Sequence, residues 1–142
     1  MEKPMPVLVP LTPETQESIQ ADEVVVSTLP FRVGRESRQS FGLWPSLKER
    51  RRTSSTLNNE LYMTDEGERF YISREHFQIE QCADGSYLLV DRGSACGTIV
   101  EGKVVGGEDA GGSCPIKHGD VIIVGKARSP YVFKFIIPDE QG

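Results

Sequence analysis

The stretch Tyr-Ile-Ser-Arg-Glu-His-Phe, residues 71–77, places a serine, an arginine and a histidine inside a run that alternates like a β-strand. Ser73 and His76 can be interpreted as a catalytic pair, a binding pair or packing residues. Catalysis needs a base that reaches the nucleophilic hydroxyl, a group that orients the base, and an oxyanion hole. Residues three apart on a strand point to opposite faces, no G-x-S-x-G motif is present, and His118, the only other histidine, lies in a predicted turn. The pattern therefore argues against an enzyme.

Short segments rich in β-branched and aromatic residues lie on both sides of this stretch, and each is typical of a strand. In chain order they are VVVSTLPFRV, ELYM, RFYI, HFQIE, SYLLVD, GTIV, VIIVG and YVFKFII. Turn residues such as those of ADGS and KHGD separate them. Many short strands with hardly any helical periodicity predict an all-β, mostly antiparallel sandwich.

The 142 residues suffice for one domain with a core and tails. We expect a flexible N-terminal tail over residues 1–21, because this segment is rich in Pro, Thr and Glu without a sustained hydrophobic period. The sandwich is expected over residues 22–138, with a long loop over 36–59 and a C-terminal tail over 139–142. Connections longer than roughly 12–15 residues are usually functional or disordered.

The composition excludes several classes of protein. A formal net charge of −5 gives no general attraction to nucleic acid, and no apolar run approaches the roughly 20 residues of a membrane-spanning helix. Prolines interrupt the apolar start of the chain, so no secretory signal is predicted and we expect a cytoplasmic protein. The three cysteines, residues 82, 96 and 114, form no C-x-x-C pair and predict neither a disulfide framework nor a zinc site. We expect no metal and no cofactor.

An anion site is a second interpretation of the chain's polar residues. Gly34 allows close approach of another backbone, and Arg35 starts the long loop at the end of a predicted strand. The planar guanidinium of arginine suits phosphate. The alternative is that Arg35 forms a surface salt bridge with Glu36 or another acid.

Four motifs in order resemble the signature of the forkhead-associated (FHA) domain over about residues 24–137. They are Gly34-Arg35, Ser73-x-x-His76, Asp91-Arg92-Gly93-Ser94-Ala95-Cys96-Gly97-Thr98 and His118-Gly119-Asp120-Val121-Ile122-Ile123-Val124-Gly125. The resemblance implies an eleven-stranded β-sandwich whose loops at one end bind phosphothreonine peptides. It implies that Arg35 contacts the phosphate, that Ser73 donates its hydroxyl to it, that Arg74 lies beside the peptide, and that His76 braces the binding loop.

The loop that commonly reads G-S-T-N-G-T in this family differs here at two positions. By resemblance Ser94, Ala95 and Cys96 belong to the peptide-binding loop, while Gly34, Gly97 and Thr98 support the site along with His76. Ala95 lacks a hydroxyl, and Cys96 lacks the asparagine amide that grips the peptide backbone in the family. Two hypotheses follow: a phosphothreonine-dependent signalling module, or a degenerate adaptor that binds an unphosphorylated protein partner.

Two further segments bear on partners. Phe41, Leu43 and Trp44 form an apolar patch in the long loop that either docks a partner or folds back onto the sandwich. Thr53 follows three arginines and is a candidate phosphoacceptor. Thr12 and Thr15 are further candidates, since a phosphorylated N-terminal tail would reach its own domain. The alternative for the tail is an inert linker.

Overall fold

The computed structural model describes residues 4–36, 59–65 and 71–138. In this part of the chain there are eleven strands and one short helix. The strands are β1 (Val7–Pro10), β2 (Val24–Val25), β3 (Phe31–Arg35), β4 (Leu61–Met63), β5 (Phe77–Gln81), β6 (Tyr87–Asp91), β7 (Thr98–Val100), β8 (Lys103–Val105), β9 (Gly112–Ile116), β10 (Val121–Val124) and β11 (Val132–Ile136), and the helix is α1 (Pro13–Ile19).

The strands form two sheets packed face to face. One sheet has the order β2-β1-β11-β10-β7-β8 and the other has the order β4-β3-β5-β6-β9. Each described strand pair is antiparallel except β3 with β4. The prediction of an all-β sandwich with about eleven mostly antiparallel strands and little helix is confirmed.

The core lies between the sheets because alternate residues of each strand point inward. In β5, Phe77 and Ile79 are buried, and in β11 the inward residues are Phe133 and Phe135. Further buried side chains, from both sheets and from the loop before β5, pack into this core, among them Leu8, Val33, Met63, Ile72, Leu89, Ile122 and Val124. Within the described ranges no helix is long and apolar enough to cross a membrane.

The expectation of a flexible tail over residues 1–21 is wrong for residues 7–19. Strand β1 pairs with β11 along its whole length and with β2 at Val7 and Leu8. Thr12 then caps α1, its hydroxyl oxygen accepting a hydrogen bond from the Thr15 N–H at 3.1 Å. The segment has too few residues for a periodic signal, and Pro10 lies beyond the end of β2, where the sheet does not require its missing N–H.

This placement of β1 predicts a strong effect of truncating its buried side chain. Leu8 is fully buried, whereas Leu11, three residues on, is 46% exposed. We expect Leu8→Ala to lower the free energy of unfolding by about 2–5 kcal/mol, as for other buried leucines. Urea denaturation measures this loss, with Leu11→Ala as the matched control that changes stability little. Equal, small effects of the two substitutions would mean that β1 is not part of the folded sheet.

Candidate functional site

Several polar loops meet at one end of the sandwich because of the strand order. Strand β3 ends at Arg35, the antiparallel β5 begins at Phe77, and β6 ends at Asp91. These three chain ends therefore lie side by side. We refer to residues 71–76 as the Ser73 loop, residues 92–97 as the Ala95 loop, and residues 106–111, which connect β8 to β9, as the acidic loop.

Gly34 lets the Ser73 loop lie directly on β3. A Cβ atom at this position would stand 1.8 Å from the carbonyl oxygen of Arg74. The Arg35 N–H donates to the Ser73 carbonyl at 2.8 Å, and the side-chain amide of Asn59 donates to the Arg74 carbonyl at 2.8 Å. A glycine is thus required here so that the backbone of the Ser73 loop reaches the end of β3.

His76 joins the Ser73 loop to the Ala95 loop. Its side chain is fully buried, its Nδ1 accepts a hydrogen bond from the Ser73 backbone N–H at 2.9 Å, and its Nε2 lies 2.7 Å from the Gly97 carbonyl oxygen. Since Nδ1 accepts, the proton lies on Nε2 and is donated to Gly97. Burial lowers the pKa of His76 from its ordinary value of 6.5, against the opposing effects of the Gly97 carbonyl and the Asp91 charge. The imidazole is therefore held neutral.

The Ser73 hydroxyl faces the Ala95 loop rather than the histidine. Its oxygen accepts a hydrogen bond from the Ala95 N–H at 3.0 Å. Within the described residues the hydroxyl hydrogen has no protein acceptor, so it remains available to a ligand. His76 contacts Ser73 only through the backbone N–H, an arrangement that does not activate the hydroxyl as a nucleophile.

The buried carboxylate of Asp91 fixes the Ala95 loop through hydrogen bonds. Its Oδ1 accepts hydrogen bonds from the N–H groups of Gly93 and Ser94, at 3.0 and 2.8 Å. Its Oδ2 accepts from the hydroxyls of Ser94 and Thr98, at 2.6 and 2.9 Å. The buried carboxylate thus has four donors around it, which offsets its desolvation.

Ser94 lies inside this network and not on the binding surface. It is fully buried, and besides donating to Asp91 its hydroxyl accepts from the Gly97 N–H at 2.9 Å. The assignment of Ser94 to ligand contact is corrected on this ground: like Thr98, it supports the loop. Ala95 is exposed and Cys96 partly exposed, so these two residues form the outer part of the Ala95 loop. Cys82, Cys96 and Cys114 form no disulfide bond.

The acidic loop, with the sequence Gly-Gly-Glu-Asp-Ala-Gly, is a neighbour that the sequence did not reveal. The Glu108 N–H donates to the Ala95 carbonyl at 2.9 Å, and the Asp109 N–H donates to the Ser94 carbonyl at 3.0 Å. Gly106 packs against Asp91, whose side chain would lie 2.6 Å from a Cβ atom there. Contacts between residues 13–15 positions apart leave no periodic trace in a sequence, so only the run of glycines hints at a closely packed loop.

Two arginines at this end differ in their surroundings. Arg74 is exposed, and its guanidinium makes no hydrogen bond or ion pair with any described residue. Arg92 donates to the Asn59 side-chain oxygen at 2.5 Å and lies 3.8 Å from a carboxylate oxygen of Glu75. Arg74 is therefore available to a ligand, whereas Arg92 and Asn59, which sequence reasoning missed, tie β6 to the chain that enters β4.

Thr12 and Thr15, the candidate phosphoacceptors near the N-terminus, lie at the start of α1 in the folded domain and not in a mobile tail. Thr15 is fully buried, and its hydroxyl lies 3.2 Å from the Pro130 carbonyl and accepts from the Val132 N–H at 2.7 Å. The Thr12 hydroxyl donates to the same Pro130 carbonyl at 2.5 Å. Neither hydroxyl is placed to receive a phosphate in the folded domain, and β1 and α1 are not free to fold back as a ligand.

Other predicted features fall outside what the structure describes. Trp44, Phe41, Leu43 and Thr53 lie outside the described residues. Among the residues that are described, no group of three or more His, Cys, Asp or Glu side chains is arranged to hold a metal ion.

A family model and several solved structures match this chain. The family model of the FHA domain matches residues 51–125. The fold matches the kinase-interacting FHA domain of the kinase-associated protein phosphatase of Arabidopsis, with 18% identity, a TM-score of 0.63 and coverage of 100% of both chains. It also matches the N-terminal FHA domain of Saccharomyces cerevisiae Rad53p, solved in complex with a phosphothreonine peptide, with 19% identity, a TM-score of 0.59 and coverage of 95% of this chain and 94% of that one.

A third match is an FHA domain from Chlamydia trachomatis, with 18% identity, a TM-score of 0.55 and coverage of 93% of this chain and 96% of that one. No curated protein sequence matches the chain. At these identities the solved structures bear on the fold alone.

The buried neutral His76 predicts a pH-dependent stability. The pKa of His76 is lowered in the folded state, so below about pH 6.5 the unfolded chain binds more protons than the folded chain. The stabilisation is complete above that pH and is lost as the pH falls toward the folded-state pKa. We expect the free energy of unfolding of the wild type to fall more steeply over this range than that of His76→Gln, which keeps His118. Parallel pH profiles of the two proteins, measured by urea denaturation, would contradict the assignment.

Proposed function

This chain belongs to the FHA domain family, and from that premise we propose that it is a non-catalytic interaction module that binds a phosphothreonine-containing segment of a partner protein. The observation that carries the proposal is the meeting of Arg35 and Ser73 at one end of the sandwich, with the Ser73 hydroxyl hydrogen left without a protein acceptor among the described residues. Participation in signal transduction and a cytoplasmic location remain predictions.

The chemistry of this end of the sandwich suits a phosphate monoester. Phosphothreonine carries about −1.5 to −2 charges and three acceptor oxygens at neutral pH. The Arg35 guanidinium can donate two parallel hydrogen bonds to such a group, and the hydroxyl of Ser73 supplies another donor. Arg74 adds a positive charge on the same loop as Ser73, and its guanidinium has no hydrogen bond or ion pair with a residue that the structure describes. This donor set neutralises a phosphate without a metal ion.

Rigidity of the donors also supports the proposal. Ser73 is fixed on three sides: its carbonyl accepts from Arg35, its N–H donates to His76, and its hydroxyl oxygen accepts from Ala95. A side chain that is already immobilised loses little conformational entropy when a ligand binds. The arrangement is thus prepared for phosphate before the ligand arrives. The Rad53p domain, which has the same fold, was solved with a phosphothreonine peptide bound.

A phosphate-independent adaptor is the second candidate, and the outer surface of the Ala95 loop favours it. The exposed side chain of Ala95 is a methyl group, and the neighbouring Cys96 carries a thiol where a paired amide donor and acceptor would hold a peptide backbone. A partner protein that packs an apolar group on this loop would need no phosphate. The two candidates differ in whether binding depends on phosphate and on Arg35.

Capture of a degenerate peptide library, offered in phosphothreonine, phosphoserine and unmodified forms, distinguishes them. We expect selective retention of the phosphothreonine form. Arg35→Ala should weaken that binding by roughly 30- to 150-fold, equal to about 2–3 kcal/mol for an uncompensated phosphate charge, and Ser73→Ala should weaken it by a smaller factor of about 5.

The matched control is Lys103→Ala, which removes one positive charge at the far end of the β7–β8 hairpin. It is expected to leave the dissociation constant unchanged. An unaltered dissociation constant for folded Arg35→Ala would overturn the phosphate assignment. Equal capture of the phosphorylated and unmodified peptides would establish the adaptor instead.

A further inference from the structure

We propose that the chain forms a homodimer through the outer face of its six-stranded sheet, with the two copies related by a two-fold axis that runs along β10. The proposal is independent of phosphate binding, because this face lies on the flank of the sandwich and not at the end where Arg35 and Ser73 meet. It assigns a partner, a second copy of this chain, to a surface that the proposed function does not use.

The outer face of the six-stranded sheet is aliphatic. Side chains of residues that pair across antiparallel strands point to the same side of a sheet. The register forms one row of such residues across four strands: Val132, Ile123, Ile99 and Val104. Further residues on the same side belong to β2, β1, β11 and β10: Val25, Val7, Val9, Ile136 and Val121. We refer to these residues as the aliphatic face, and within the described ranges none of them belongs to the hydrophobic core between the sheets.

The two sheets differ in how their strands alternate. A sheet with solvent on one side alternates apolar and polar residues, whereas strands that are covered on both sides are apolar throughout. The five-stranded sheet follows the first pattern, with Arg32, Gln78 and Glu80 pointing outward. The six-stranded sheet follows the second: β10 reads Val-Ile-Ile-Val, and β11 has Lys134 as its one polar residue. Since Val104 on this face is 73% exposed, the pattern predicts a further protein layer over the aliphatic face.

Two charged residues on this face identify a second copy of the chain as that layer. Lys134 lies between Val9 and Val121 in the register, and its ammonium group makes no hydrogen bond or ion pair with a described residue. Glu101 lies on the other side of Val121. Its Oε2 accepts a hydrogen bond from the Val121 N–H at 2.7 Å, and its own N–H donates to the Val121 carbonyl at 3.0 Å. These two bonds fix the carboxylate, so a cation and an anion flank the same residue of β10.

A two-fold axis along β10, between the facing sheets, brings these charges together. In such a dimer the same patch of both copies is self-complementary. Lys134 of one copy lies opposite Glu101 of the other, and this ion pair forms twice. The same axis places Ile123 on Ile123 of the second copy and Val132 on Ile99. An axis across the strands would instead place each Lys134 opposite a residue of β11 in the second copy. Its charge would then be buried without a partner, which is costly.

The axis leaves both binding ends free. Rotation about an axis parallel to the strands keeps the strand direction, so the Ser73 loops of both copies lie at the same end of the dimer. If the proposed function holds, a partner with two phosphothreonines can occupy both sites at once. The aliphatic face and its two charged residues are fewer than the roughly 20–30 residues that each partner contributes to a standard interface. We therefore expect a weak dimer, which a bivalent partner would stabilise.

Sedimentation velocity of the full chain, from micromolar to near-millimolar concentration, tests the proposal. We expect the wild type to pass from monomer to dimer over this range. Val104→Lys places a charge on the aliphatic face twice in each dimer, so it should raise the dissociation constant about tenfold or more. Val104 is too exposed for this change to unfold the chain. The matched control is Ser113→Lys, which adds the same charge at an exposed position of β9 in the other sheet and should dimerise like the wild type.

Charge reversal tests the position of the axis. Lys134→Glu and Glu101→Lys each bring like charges together twice, so either variant alone should dimerise more weakly than the wild type. An equimolar mixture of the two restores both ion pairs, and we expect a dimer with one copy of each. Urea denaturation shows whether both variants are folded.

Three results would overturn the inference: a wild type that stays monomeric over the whole range, Val104→Lys that dimerises as well as the wild type, or a mixture of folded variants that associates no better than its components. Phosphopeptide capture is measured separately on the wild-type chain. A monomer that retains phosphothreonine peptides would leave the proposed function standing, and a dimer that retains none would contradict the proposed function alone.

Discussion

A single buried imidazole holds together the two loops that would contact a phosphate. His76 accepts from the Ser73 N–H and donates to the Gly97 carbonyl, so each loop is tied to the other through one rigid ring. The ring can do this only while it is neutral, because a proton on Nδ1 would replace the acceptor with a second donor. Burial among core residues keeps it neutral, and the packing of the sandwich thereby controls the geometry of its binding end.

A second buried group, the Asp91 carboxylate, fixes the shape of the Ala95 loop. Two N–H groups and two hydroxyls converge on it, and Gly106 of the acidic loop packs against it. The polar side chains of the Ala95 loop therefore mostly point into the domain. Few of its side chains are left on the outer surface, where a ligand would bind. This explains how two outer positions, Ala95 and Cys96, can differ from the family pattern without loss of the framework below them.

Much of the fold was predictable because its signals are local. Each strand and turn can be recognised from a few consecutive residues, as the alternating residues of β5 and β11 show. The order of the Gly34, Ser73 and His76 motifs indicated where the loops would meet. Strand β1 was not predicted because proline is unusual in a strand and Pro10 stands at its end. Pro10 is tolerated there because β2 pairs only with Val7 and Leu8, so no partner strand requires an N–H from residue 10.

Parts of the site were not predictable from local patterns. The family resemblance assigned Ser94 to ligand contact, yet the buried Asp91 gives its hydroxyl a partner inside the domain. The acidic loop contacts Ser94 and Ala95 through backbone hydrogen bonds, which depend on the path of the chain and not on the identity of the side chains. Sequence reasoning therefore found Arg35 and Ser73, the proposed phosphate donors, and missed the acidic loop beside them.

The most direct test of the account uses the smallest ligand that carries the recognised group. Titration of the isotopically labelled domain with N-acetyl-phosphothreonine amide, followed by amide nuclear magnetic resonance, needs no knowledge of the partner. The account predicts that signals of Arg35, Ser73 and Ala95 shift and saturate, that Lys103 at the far end stays unchanged, and that unphosphorylated N-acetyl-threonine amide has no effect. Identical responses to the two compounds, or shifts located away from this end of the sandwich, would contradict it.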